Sequence, residues 1–187
     1  MYTLCSTERS AQQQRELEAA FQELMLEMPY DCIKISEICR RAGYSRKVFY
    51  RLFEQKADVL YALIDHTLLD FENYQPDISM VGNGGMHRFL GFWKERKLLL
   101  DGLSRIQSSS LLTERSIRLV LNEDAALMKT FGADSSDFAR ETMLFFISGL
   151  FSLLLDWHGS GFQRNIDEMA GLLMQLLTTP PVKVPIE

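Results

Sequence analysis

Ile33-Lys-Ile-Ser-Glu-Ile-Cys-Arg-Arg-Ala-Gly-Tyr-Ser-Arg-Lys-Val-Phe-Tyr-Arg-Leu-Phe-Glu-Gln-Lys56 is the stretch on which the reading of this chain turns. Ile35, Ile38, Cys39 and Ala42 recur at helical spacing, and the pattern stops at Gly43. Glycine accepts the left-handed backbone that ends a helix and lets the chain leave at a steep angle. Ser45 then stands where an N-cap hydroxyl would accept a backbone N–H of a second helix. In that helix Phe49, Leu52 and Phe53 share one stripe, because offsets of three and four return to the same face. At about 100° per residue, Lys47 and Arg51 point almost opposite the stripe, flanked by Val48 and Tyr50, with Arg46 at the N-terminal end. The first helix is expected to begin around Ser36, since Lys34 is a poor cap. Two short helices, a tight turn and an outward cationic face form the layout that places a helix in the DNA major groove.

Charge follows the same division. Residues 34–56 carry seven cations (Lys34, Arg40, Arg41, Arg46, Lys47, Arg51, Lys56) against Glu37 and Glu54, a net of +5. The whole chain is −5, so everything outside that window sums to −10. One concentrated basic patch on an acidic body is how a phosphate-binding surface looks, although a charged run on its own also describes a solvated helix face.

The segment from Ile38 to Lys56 resembles the DNA-binding signature of the TetR/AcrR family of bacterial transcription regulators, with Gly43, Ser45, Phe49, Tyr50, Phe53 and Lys56 at the signature positions. Lys47-Val48 replaces the small residue and threonine usual there. The resemblance implies an all-α protein, with an N-terminal three-helix helix-turn-helix domain (1–56) and a C-terminal helical ligand-binding and dimerisation domain (57–187). It also implies a dimer on a pseudo-palindromic DNA operator, most often as a repressor released by a small hydrophobic or amphipathic ligand. The stretch Phe92 to Leu103 is similar to a subgroup that includes regulators of dihydroxyacetone utilisation. There a co-activator, or a protein-interaction module without an inducer of its own, is the alternative.

Length and composition suit such a body. A chain of 187 residues can bury about 70% of its unfolded surface. Cys5, Cys32 and Cys39 are odd in number and lack metal-ligand or CxxC spacing, which fits a reduced cytoplasmic setting. No basic region followed by an apolar block opens the chain, so no signal peptide is expected. The longest apolar run, Met143 to Leu155, is broken by Ser148, Gly149 and Ser152. It falls short of the ~20 residues a membrane crossing needs, so no membrane span is expected.

Elsewhere the periodicity is helical. Leu17, Ala20, Phe21, Leu24, Met25 and Met28 stripe a first helix that ends before Pro29. A helix is expected from Lys56 to Asn73, followed by a loop at Gln75-Pro-Asp and Gly82-Asn-Gly-Gly85. Met86 to Leu103 should break into two helices near Arg96. Further helices are expected over 111–131, 138–157 and 166–177, with a loop at 132–137.

The last two helices carry a second inference. Phe145, Gly149, Leu150, Leu153, Met169, Leu173 and Leu176 are surplus apolar or small positions, expected at an isologous four-helix dimer interface. The other reading is that they fill one chain's core. Dimerisation would hold two reading helices about 34 Å apart. Lys47 and Val48 are expected to reach base edges, a cation suiting guanine and a small apolar group a thymine methyl. Ser45, Arg46, Tyr50, Arg51 and Lys56 are expected to hold phosphates. Where the resemblance places a ligand pocket, Phe89, Phe92, Trp93, Met128, Phe131, Met143 and Phe146 are candidate linings. Aromatic and methionine stripes also describe plain core. Arg88, Thr142 and His158 are polar groups that could orient a ligand, but nothing in the sequence makes them converge.

Enzymatic readings fare poorly. His66, His87 and His158 are scattered, with no HExxH, nucleophile elbow or phosphate-cradling glycine loop. Asp65-His66 and Asp156-Trp157-His158 are close in sequence, but adjacent helical residues face different directions. No catalytic residue, metal ligand or cofactor site is expected.

Overall fold

The computed structural model describes residues 4–5, 7–74, 84–122 and 139–178, and every described element is helical. The expectations for Met128 and Phe131, and most of those for the loops at 75–85 and 132–137, lie outside these residues. Helix α1 spans Glu8–Glu27 and buries Leu17, Phe21, Leu24 and Met25. It stops because Met28, preceding Pro29, is extended at φ −144°, ψ 159°, as the proline ring demands. A 3-10 turn, Tyr30–Cys32, leads to α2 (Ile35–Ala42) and α3 (Arg46–Leu52). Helix α2 starts at Ile35, one residue before the expected Ser36, and Lys34 precedes it without a capping side chain. Helix α4 runs over Lys56–Asn73.

The body continues with α5 (Gly84–Glu95), α6 (Lys97–Arg105) and α7 (Ser110–Asn122), then α8 (Ala139–Gly159) and α9 (Ile166–Thr178). The break between α5 and α6 has a visible cause. Arg96 folds back so that its guanidinium lies 3.4 Å from the Phe92 ring centre and Nη1 donates to the Phe92 carbonyl at 3.2 Å.

Helix α1 is the hub: it packs on α2, α3, α4 and α6. Helix α4 leaves the first three helices and meets α7, while α5 contacts α8 and α9. Apolar burial therefore runs as one cluster from Phe49 and Phe53 through Ile64 to Trp93, Phe151 and Leu173, across residue 56 without interruption. Ionic contacts pin α4 to its neighbours. His66 Nδ1 lies 2.8 and 2.9 Å from the two Glu18 oxygens, Asp70 takes Arg15 at 2.7 Å, and Asp65 takes Arg115 at 2.7 Å.

Helix α8 merits a correction to the membrane argument. Its flanks extend the apolar run to 20 residues, Arg140–Gly159, at mean hydropathy 1.3, so by length and composition alone it is long enough to cross a membrane. In the structure Met143, Ile147, Phe151, Leu154 and Trp157 of this helix are buried, and it packs on α5, α6 and α7.

Candidate nucleic-acid interface

The turn between α2 and α3 has the predicted chemistry. Gly43 sits at φ 75°, ψ 23°, and Tyr44 N–H donates to the Cys39 carbonyl at 2.8 Å, closing the end of α2. Ser45 is extended, and its Oγ accepts the Val48 N–H at 3.4 Å. Phe49, Leu52 and Phe53 are buried at 0%, 7% and 2% exposure. The Phe49 ring packs 5.6 Å from Phe53 and edge-on to Tyr50 at 5.5 Å. With that side anchored, Ser45, Arg46, Lys47, Tyr50 and Arg51 are exposed and Val48 is half-buried. The predicted outward face is therefore outward.

Its cations differ in what they do. Arg40 pairs with Glu37. Arg41 forks over Glu27, both N–H···O distances being 2.7 Å, and reaches Glu23 at 3.2 Å. The Arg41 guanidinium holds the Glu27 carboxyl below its usual range. Arg51 donates to the amide oxygen of buried Gln13. Lys56 donates to the Tyr30 carbonyl at 2.6 Å and lies 4.0 Å over the Tyr30 ring, and burial lowers its pKa. Among the described residues the side chains of Lys34, Arg46 and Lys47 make no hydrogen bond or ion pair. They are the cations left for an outside anion.

Asp58 completes the corner. Its Oδ2 accepts the N–H groups of Glu54 and Gln55 at 3.0 and 3.1 Å, fixing the start of α4 beside Lys56.

Sequence reasoning missed the α1 side of this assembly. Gln13, Glu16, Glu23 and Glu27 hold Arg51, Tyr44 and Arg41. The signal was present, because these four share one helical face.

The candidate ligand residues divide. Phe89, Phe92, Trp93 and Met143 are buried at 8%, 0%, 1% and 4% exposure, and Phe146 is half-buried. The rings of Phe89, Phe92 and Trp93 meet edge to face, joined by Phe71 at 5.0 Å from Phe92 and Phe151 at 5.5 Å from Trp93. Phe151 was not expected there, though it repeats at helical offsets from Met143 and Ile147. Arg88 lies 4.6 Å over the Phe71 ring and donates to the Tyr74 and Glu72 carbonyls at 2.8 Å each and to that of Phe71, so it caps the end of α4. Thr142 is exposed. Each histidine meets a carboxylate remote in sequence: His66 with Glu18, His87 with Asp167 at 2.9 Å, His158 with Asp101 at 2.8 Å. Among the described residues no group of three or more His, Cys, Asp or Glu is placed to hold a metal.

Of the surplus positions on α8 and α9, Phe145 is 81% exposed and Leu176 56%, while Leu150 and Leu153 are half-buried. Gly149 is exposed, with no atom within 4 Å of where a Cβ would stand. Met169 and Leu173 are each 3% exposed, in the chain's own core, where α9 packs on α5.

No family model and no curated protein matches this sequence. Solved structures do match. A Listeria innocua protein superposes with TM-score 0.67 at 18% identity, over 94% of each chain. The dihydroxyacetone kinase operon activator DhaS does so with TM-score 0.59 at 16% identity, over 88% of this chain and 93% of its own. A tetR-family transcriptional regulator from Streptomyces coelicolor gives TM-score 0.56 at 19% identity, over 87% of this chain and 79% of its own. At such identities the likeness is one of architecture: the chain has an all-α, TetR-like fold.

Proposed function

We propose that this chain is a DNA-binding transcription regulator that works in the cytoplasm as a homodimer on a pseudo-palindromic operator. The observation that carries the reading is the α3 face. Phe49 and Leu52 are buried behind it, Lys47 and Arg46 stand exposed on it without partners, and a left-handed glycine and a serine cap set its angle. In this reading Lys47 and Val48 meet base edges, while Ser45, Arg46, Tyr50 and Lys56 lie along the phosphates.

The surplus apolar face of α8 and α9, centred on Phe145, Gly149, Leu150, Leu153 and Leu176, supports the dimer. An 81% exposed phenylalanine beside a glycine is what a close helix–helix contact between two copies needs. The ring cluster of Phe89, Phe92 and Trp93, with Met143 and Phe146, is the proposed seat of a small apolar ligand whose entry changes the pose of α4. In a repressor that entry releases DNA. A second reading, an activator, is favoured by one observation: a structure sharing this fold is that of an operon activator.

A band-shift titration with the duplex upstream of the protein's own gene tests the proposal. The expected result is binding that outlasts unrelated competitor DNA and weakens steeply with salt. Equal affinity for unrelated DNA, or none for either, would overturn it.

A further inference from the structure

We infer that a polar ladder on α1 sets the pose of the reading helix, and that Arg51 is a positioning residue of this ladder rather than a phosphate contact. The inference rests on the DNA-binding reading and refines it.

Gln13, Glu16, Glu23 and Glu27 are spaced three, seven and four residues apart, so they line one face of α1. Between them they take three partners, one from each part of the reading head. Arg51 of α3 donates to Gln13, Tyr44 of the turn donates to Glu16, and Arg41 of α2 donates to Glu23 and Glu27. A single helix face thus grips both helices and the corner between them. Arg41 holds the Glu27 carboxyl, and Tyr44 the Glu16 carboxyl, below the usual carboxylate range.

The grip on α3 matters most, because α3 is seven residues long and its buried contacts are Phe49 and Leu52. Apolar contact is non-directional and lets so short a helix roll. A hydrogen bond depends on angle and does not. Gln13 is 7% exposed, and a buried amide oxygen without a donor is costly. The Arg51 guanidinium, though exposed, supplies that donor by reaching across to α1. Lys34, Arg46 and Lys47 remain for phosphates and bases.

The two roles of Arg51 predict different solution behaviour. A phosphate contact weakens binding to every sequence alike and contributes about 0.9 to the salt slope. A positioning residue leaves both unchanged and degrades discrimination, since a rolled α3 misplaces Lys47 and Val48. Fluorescence anisotropy should be run on the full-length protein with the upstream duplex and with an unrelated duplex, across a salt series. The variants are Arg51→Ala, Gln13→Ala and the pair together, with Arg46→Ala for comparison.

For Arg51→Ala and Gln13→Ala the expected result is about tenfold weaker binding to the upstream duplex, the scale of one lost base contact. Affinity for the unrelated duplex and the salt slope should be unchanged, and the double variant should be no worse than the worse single one. Arg46→Ala should flatten the slope on both duplexes. The inference is overturned if Arg51→Ala weakens both duplexes equally and flattens the slope while Gln13→Ala is silent. If the wild-type protein binds neither duplex, the DNA reading has failed, and amide hydrogen exchange of Val48 to Leu52 in the free protein then decides the ladder. Faster exchange in both single variants sustains it, and unchanged exchange rejects it.

Discussion

Gly43 and Glu18 show how single residues carry this architecture. Gly43 is at φ 75° with open space around the position a Cβ would take, so Gly43→Ala meets no clash. Its cost is conformational, about 1–2 kcal/mol for an L-residue held left-handed, and chemical denaturation should show a loss of that size. An unchanged midpoint would mean that the corner relaxes to another conformation. At Glu18, 1% exposed against His66, burial is the largest influence and raises the carboxyl pKa over the opposing effects of His66 and Arg15. The folded state therefore holds this proton more tightly than the unfolded chain. Its contribution is greatest at low pH and is lost as pH rises through the folded titration range. Relative to Glu18→Gln, the wild-type protein should gain stability as the pH falls into the usual carboxylate range, read from paired urea melts. A relative loss on acidification would contradict the assignment. Gly43 and Ser45 were legible in the sequence because their chemistry is local. The Arg51–Gln13 contact was not, since 38 positions separate its partners and periodicity says nothing of which helix faces which.

Helix boundaries followed the sequence closely where a local cause exists. Pro29 stops α1, Asp58 starts α4 beside Lys56, and Arg96 folds on Phe92 between α5 and α6. What periodicity leaves open is the partner of an apolar stripe. Met169 and Leu173, expected at the interface, are core in the structure, whereas Phe145 and Leu176 remain outside. Two predictions belong at this scale. Helix α6 lies so close to α1 at Gly102 that a Cβ there would stand 3.3 Å from Met25 Cβ and 2.8 Å from Met25 Cε. Gly102→Val should destabilise by about 1–3 kcal/mol through overpacking, and a neutral thermal melt would show that the joint is loose. Phe145→Glu places a charge on the proposed contact of α8 with its copy. Sedimentation velocity should then find single chains with unchanged circular dichroism, and a persisting dimer would move the interface elsewhere.

At the scale of the whole molecule, a basic N-terminal helix trio and an acidic body share one apolar core through α1 and α4. Helix α4 holds the other side of α1 through Asp70–Arg15 and His66–Glu18, so under the proposed function a shift of α4 would reach the ladder, and DNA, through α1. Under the proposed function, α3 presents Lys47 outward, twice, to one duplex. Sedimentation of the protein with a fluorescent duplex from upstream of its own gene tests this most directly, for the wild type and for Lys47→Glu. Two chains are expected on each duplex for the wild type, and loss of that species for Lys47→Glu while the protein stays folded and dimeric. One chain per duplex, or the same complex with Lys47→Glu, would contradict it.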